Sequence, residues 1–235
     1  MSIWDKIAEL AAQVSGKETI SAFLDRVAGY FTSVSGSETR RQMAFTVAMI
    51  ALSAKMAKAD GVVTQDEIIA FKQIVEIPSS EARNVARVFN LAKRDVAGYE
   101  AYAAQLSELL KDESETLVDI VDGLFHIAKA DGVIHENELS YLEHVADIFG
   151  LEDRCFSRIK ARHMSEHADP YAVLGVDREM SDSDIKRQYR KLVAEHHPDR
   201  MMARGVPQEF IELANQKLAD VNVAWGEIAA ERGLR

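Results

Sequence analysis

"AKADGVVTQDEI" (residues 57–68) returns 71 residues later as "AKADGVIHENEL" (128–139), with Ala, Lys, Ala, Asp, Gly, Val and Glu at matching places. Each copy follows an apolar helical run and precedes another, so the unit is helix, Asp-Gly turn, helix, used twice. Local chemistry accounts for much of it. Gly61 and Gly132 can take the positive φ that ends a helix. Thr64 and Glu67 form a capping box, with Val63 and Ile68 placed as a hydrophobic staple. In the second copy His135 replaces the threonine, while Glu138, Ile134 and Leu139 keep the other roles. Two metal motifs fail on their ligands. An EF-hand loop needs oxygen ligands at its first and third positions, which here hold Met56 and Lys58, or Ile127 and Lys129. "HENEL" (135–139) opens like a zinc-protease helix but ends in Leu139, not histidine.

Working outward, the same three- and four-residue spacing continues. Ile3, Ile7, Leu10 and Val14 make one stripe. Val47, Ile50, Leu52, Ala54 and Met56 lie in a longer, nearly all-apolar run. Leu117, Ile120, Val121, Leu124 and Ile127 make another stripe, and Leu139, Leu142, Val145, Ala146 and Phe149 a fourth. No stretch sustains two-residue alternation, so the expected class is all-α. Trp4 on the first stripe invites a membrane-surface reading. The polar side there carries Asp5, Lys6 and Glu9 instead of a basic cluster, which favours packing against the body.

The bulk numbers narrow the function. A chain of 235 residues has room for one large or two small domains. Its net charge of −10 is concentrated: residues 101–150 hold 11 acids against two bases, Lys111 and Lys129. Such a chain repels phosphate backbones, so nucleic acid is a poor partner. Cys155 alone cannot form an internal disulfide. No run approaches the roughly 20 apolar residues of a membrane span, and no signal-peptide pattern opens the chain. The expected compartment is the cytoplasm, with peripheral membrane contact left open.

The doubled Lys-Ala-Asp-Gly units on helix pairs resemble the TerB-like domain, an all-helical family, over roughly 38–162. Acidic residues of that family have been suspected of binding metal, and the matching positions here are Asp60, Glu67, Asp131 and Glu138. Structural capping and a divalent-ion site both stand as readings of these four. The expected division is an amphipathic segment at 1–35, the TerB-like domain at 36–162, a linker at 163–168 within "ARHMSEHAD" (161–169), and a second domain at 169–235.

In that last part, Asp169 can cap a helix that Pro170 begins and Gly175 ends. Ser181 caps the next, with Asp182 and Asp184 at its positive end. Ile185, Tyr189, Leu192 and His196 share one face; Lys186, Arg187, Arg190 and Lys191 cover much of the other. Pro198 cannot continue this helix and drives His197 into an extended conformation. His197 and Asp199 therefore stand on a rigid turn at the end of a basic helix. A metal site needs three or four convergent ligands and an acid–base pair needs a pocket, and neither is evident in one tight turn. A long helix follows, on which Phe210, Leu213, Leu218, Val221 and Trp225 are expected to pack back on the basic helix as an antiparallel hairpin.

"YAVLGV", "IKRQYRKLVAEHHPDR" and "KLADVNVAW", in this order, resemble a J domain of the DnaJ co-chaperone family. A TerB-like region followed by a C-terminal J domain is similar to the DjlA group of bacterial DnaJ-like proteins. Enteric-type members carry an N-terminal transmembrane helix that residues 1–35 lack. The resemblance implies a regulatory ligand, not itself an enzyme, that docks on a DnaK-type heat-shock ATPase and speeds its ATP hydrolysis. It implies His197, Pro198 and Asp199 as the trigger. Lys186, Arg187, Arg190, Lys191 and Arg200 would steer towards an acidic partner surface. No resident cofactor is expected beyond the candidate divalent ion, and the client is left open. The competing expectation makes the TerB-like part the main actor, a metal- or ligand-sensing stress-response adaptor with the J domain as its output.

Overall fold

The structure is a computed structural model that describes residues 3–13, 20–33, 37–59, 83, 86, 88–90, 92, 98–164 and 169–234. Among them there are helices and no strand, as the spacing predicts. The centre is α3 (Ser37–Ala59), in which every residue from Met43 to Met56 is buried. A helix that is apolar almost all round belongs inside a protein. Around it pack α1 (Ile3–Ala12), α2 (Ile20–Ser33), α4 (Tyr99–Leu109), α5 (Ser114–Ala128) and α6 (Glu136–Ile148). The expected stripe of α5 is buried in full at Leu117, Ile120, Val121, Leu124 and Ile127. Ile7 and Leu10 of α1 enter the same core, so the middle of the first stripe packs on the body, while the Ile3 side chain and Val14 lie outside the described residues. The side chain of Trp4 lies outside the described residues.

Between α5 and α6 the second Asp-Gly turn forms as its residues dictate. Gly132 sits at φ 98°, where a Cβ would be strained. His135 then caps α6, and its backbone N–H donates to Glu138 Oε2 at 2.8 Å. α7 (Asp153–Met164) lies against α5. It runs through the first two residues of the expected 163–168 linker, and His163 is buried inside it. The sequence missed this because a helix with few apolar residues, here held by buried polar contacts, leaves only a weak stripe.

The C-terminal part contributes α8 (Pro170–Leu174), α9 (Asp182–Glu195), α10 (Pro198–Ala203) and α11 (Ile211–Arg232). Asp169 and Ser181 cap α8 and α9 as expected, accepting from the backbone N–H groups of Tyr171 and Asp184, each at 3.2 Å. A second core joins Tyr171, Leu174, Ile185 and Leu192 to Val221, Ala224 and Ile228. One expectation needs correcting. Phe210 and Leu213 do not pack on the basic helix; they belong to the large core, where Phe210 meets Phe45 edge-on at 4.8 Å. Helix α11 thus spans both cores, its first half in the large one and its second half in the small one.

Candidate functional site

Helix α9 presents two chemically distinct sides. Ile185 and Leu192 are fully buried, and Tyr189 stacks on Trp225 at 4.8 Å while its hydroxyl donates to Asn222 Oδ1 at 2.9 Å. Those contacts fix the helix's rotation and leave Arg187, Arg190 and Lys191 exposed, with Lys186 half-buried. Arg187 pairs with Asp184 at 2.7 Å and Lys191 with Glu195 at 3.7 Å, both on the surface, where such pairs hold little energy.

At the end of α9, His196 takes the C-cap and turns inward. Neither ring nitrogen has a hydrogen-bond partner among the described residues. Burial, reinforced by the positive charges of Lys217 and Arg162, pushes its pKa far below the ordinary imidazole range, so the ring is neutral. His197 is extended (φ −62°, ψ 132°), as Pro198 demands. The turn is more than a loop, however: Pro198 starts a new helix, α10, and His197 is its N-cap. The Asp199 backbone N–H donates to His197 Nδ1 at 3.2 Å. An accepting Nδ1 leaves the proton of the neutral ring on Nε2, so the imidazole is a donor there. His197 is half-exposed, with 54% of its side chain accessible, and Asp199 lies open at 83%. Beside them Tyr189, Val193 and Ala194 line a shallow groove with Arg190, His197 and Arg200.

Two separate hollows border the expected cations. Arg190 and Arg200 share the groove with His197 and Asp199. Arg187 and Lys191 line a separate cleft between α9 and the N-terminal helical body, opposite Glu115, Phe149 and Leu151. Lys186 lines neither.

Beneath this surface lies a buried network that sequence reading missed. Asp119 and Asp122 of α5 are both nearly inaccessible. Lys217 of α11 donates to Asp119 at 2.7 Å and pairs with Asp122 at 2.9 Å. Arg204 reaches Asp119 at 3.1 Å and Glu115 at 3.2 Å. Arg162 and His163 of α7 both contact Asp122 Oδ1, His163 at 2.9 Å. Burial lowers Lys217 to about 8 and Arg162 to about 10, with Asp119 opposing both shifts. His163 is held well below its ordinary value, first by burial and next by the Arg162 charge. The network joins the two cores through paired charges, the only form in which buried ions are tolerable.

The family model for tellurite resistance protein TerB matches residues 46–161, and that for the DnaJ domain matches residues 169–224. Co-chaperone protein DjlA of Photobacterium profundum is 31% identical over 237 residues, covering 88% of this chain and 84% of the relative. The chain belongs to the DjlA co-chaperone family. Co-chaperone protein DjlA of Shewanella oneidensis is 26% identical, covering 87% and 84%, and that of Coxiella burnetii 26%, covering 76% and 74%. No solved structure matches the chain.

In this DjlA-family chain the candidate metal positions come out unevenly. Asp60, Glu67 and the Asp131 side chain lie outside the described residues. Glu138 is buried and occupied in capping α6. Among the described residues no three His, Cys, Asp or Glu side chains converge as a metal site would require. The sequence carried no signal for the buried network: Asp119 and Asp122 fall on the side of α5 opposite its apolar stripe, where a carboxylate is the ordinary solvent-facing residue, and only the packing of α11 and α7 buries them. Among the described residues no helix is long and apolar enough to cross a membrane.

Proposed function

We propose that this chain is a co-chaperone that docks on a DnaK-type heat-shock ATPase in its ATP state and stimulates hydrolysis by that partner. The observation that carries the reading is the exposed His197–Pro198–Asp199 step, fixed between a basic helix and a second helix. His197 offers a donor at Nε2, Asp199 offers a carboxylate, and Pro198 holds their spacing. Arg190 and Arg200 flank this pair and attract an acidic surface, raising the rate of encounter more than the final affinity. Arg187 and Lys191 act from the neighbouring cleft and Lys186 from the helix flank. The bond-breaking chemistry belongs to the partner, and the chain acts as a non-enzymatic regulator in the cytoplasm, where that partner and its ATP are found. The TerB-like body is the half that recruits a client or senses a ligand.

A single-turnover assay tests this. The purified chain alone is expected to hydrolyse no ATP, and adding it to a DnaK-type ATPase is expected to accelerate turnover. Hydrolysis by the chain alone, or no acceleration, would refute the proposal.

A further inference from the structure

Helix α10 carries the trigger at its N-cap and first two residues, yet it does not belong to the core of its own domain. The small core contains nothing between Pro198 and Ala214; Met201, Val206, Phe210, Leu213 and Ala214 are all part of the large one. Six residues are too few to be helical on their own in water. What keeps α10 in place must therefore come from the surface it lies on.

Its C-terminal end shows how. Val206 N–H donates to Met201 O at 3.0 Å and Gly205 N–H to Met202 O at 2.9 Å, the paired closure of a helix ending in a left-handed residue. Gly205 takes that conformation at φ 98°, and a Cβ there would meet Arg41 Cβ at 2.2 Å, so the chain runs hard against α3. Two carbonyls at this end are reached by side chains of the TerB-like body. Ala203 O accepts from Arg41 at 2.9 Å, and Arg204 O from the Thr116 hydroxyl at 3.2 Å. The Arg204 side chain is clamped by Asp119 and Glu115. One end of α10 is thus capped by the neighbouring domain and the other presents His197 and Pro198, about 9 Å away at 1.5 Å per residue.

We propose that Arg41 and Thr116 are positioning residues for the trigger: the TerB-like body caps α10 and so sets the order and aim of His197–Pro198–Asp199. This rests on the co-chaperone reading above. It makes the TerB-like body part of the stimulating device as well as an appended domain. Neither residue touches the trigger, and both act through the backbone of Ala203 and Arg204.

The test uses the full chain carrying Arg41→Met and Thr116→Val together, which removes the hydrogen bonds to the Ala203 and Arg204 carbonyls, with the Arg41–Glu113 pair, and keeps most of the side-chain bulk. Amide hydrogen exchange at residues 199–206 should accelerate by roughly tenfold or more, the effect of losing two ordinary hydrogen bonds. Amides of Leu117–Leu124 in α5 should keep their protection, which separates local loosening from unfolding. Maximal stimulation of the DnaK-type ATPase should fall several-fold, with the half-saturating concentration little changed, because the steering cations are untouched. Arg41→Lys, which keeps a donor for Ala203 O, should recover part of both effects. If wild-type protein stimulates and the double variant stimulates equally, the positioning role is wrong while the co-chaperone reading stands. Unchanged exchange at 199–206 also overturns it. If wild-type protein does not stimulate, the co-chaperone reading itself fails.

Discussion

Two sets of charges lie back to back in this molecule and do opposite things. On the outside, Arg187, Arg190, Lys191 and Arg200 are exposed, and the ion pairs that Arg187 and Lys191 make are surface pairs of little worth. Inside, Asp119, Asp122, Arg162 and Lys217 are nearly inaccessible and pair with one another across three helices. Exposure leaves a charge free to act over a distance on a partner. Burial commits it to one geometry, because an unpaired ion there is far costlier than one in water. Under the proposed function the outer set serves encounter, while the inner set serves architecture. The His-Pro-Asp step sits where the two meet, with His196 facing in and His197 facing out.

The largest effect that would break this contrast lies inside. Lys217→Ala removes a cation shared by Asp119 and Asp122 and should destabilise the protein by about 3–5 kcal/mol, the usual cost of orphaning a buried ion. Urea unfolding measures it, and a loss as small as that of a surface substitution would show that the network is wet.

Next comes pH. His163 and His196 both have pKa values depressed below the ordinary 6.5, chiefly by burial, so the folded protein keeps them neutral where the unfolded chain takes up protons. Their contribution is complete above that ordinary value and is lost as pH falls below it, by about 2 kcal/mol per histidine at pH 5. His196→Leu, which also removes two buried ring nitrogens without partners among the described residues, should lessen the decline between pH 7 and pH 5 by about 2 kcal/mol, leaving the shares of His163 and His126. An unaltered pH profile would mean that His196 is accessible to protons.

The outer set should yield the smallest change in stability. Arg190→Ala and Arg200→Ala should each shift unfolding by no more than about 0.5 kcal/mol. Both should slow association with the ATPase at low salt and lose that effect as ionic strength rises past the range of screening. A salt-independent effect would argue for a packed contact in place of steering.

The contrast also explains what could be read from the residues alone. Stripes such as Leu117–Ile127, the caps Asp169 and Ser181, and the break at Pro198 are local, and each depends on neighbours within a few positions. The inner network is not local. Lys217 lies 98 residues from Asp119, and Arg162 lies 40 from Asp122. The excess of acids in residues 101–150 was visible, but nothing in it names Arg162, Arg204 and Lys217 as the bases that answer it. Likewise the stripe containing Phe210 and Leu213 announces an apolar face without saying which core it enters. Helix α10 was hidden because Pro198 both ends one helix and begins another, and the first role is the easier to see.

The central claim is that an imidazole and a carboxylate held about a proline act on a foreign ATPase. Single-turnover hydrolysis by a DnaK-type chaperone in low salt, with wild-type protein and His197→Gln side by side, addresses it most directly. The account predicts that the variant unfolds in urea like wild type, since His197 is half-exposed and packs in neither core, and gives no acceleration. Full acceleration by His197→Gln would contradict it.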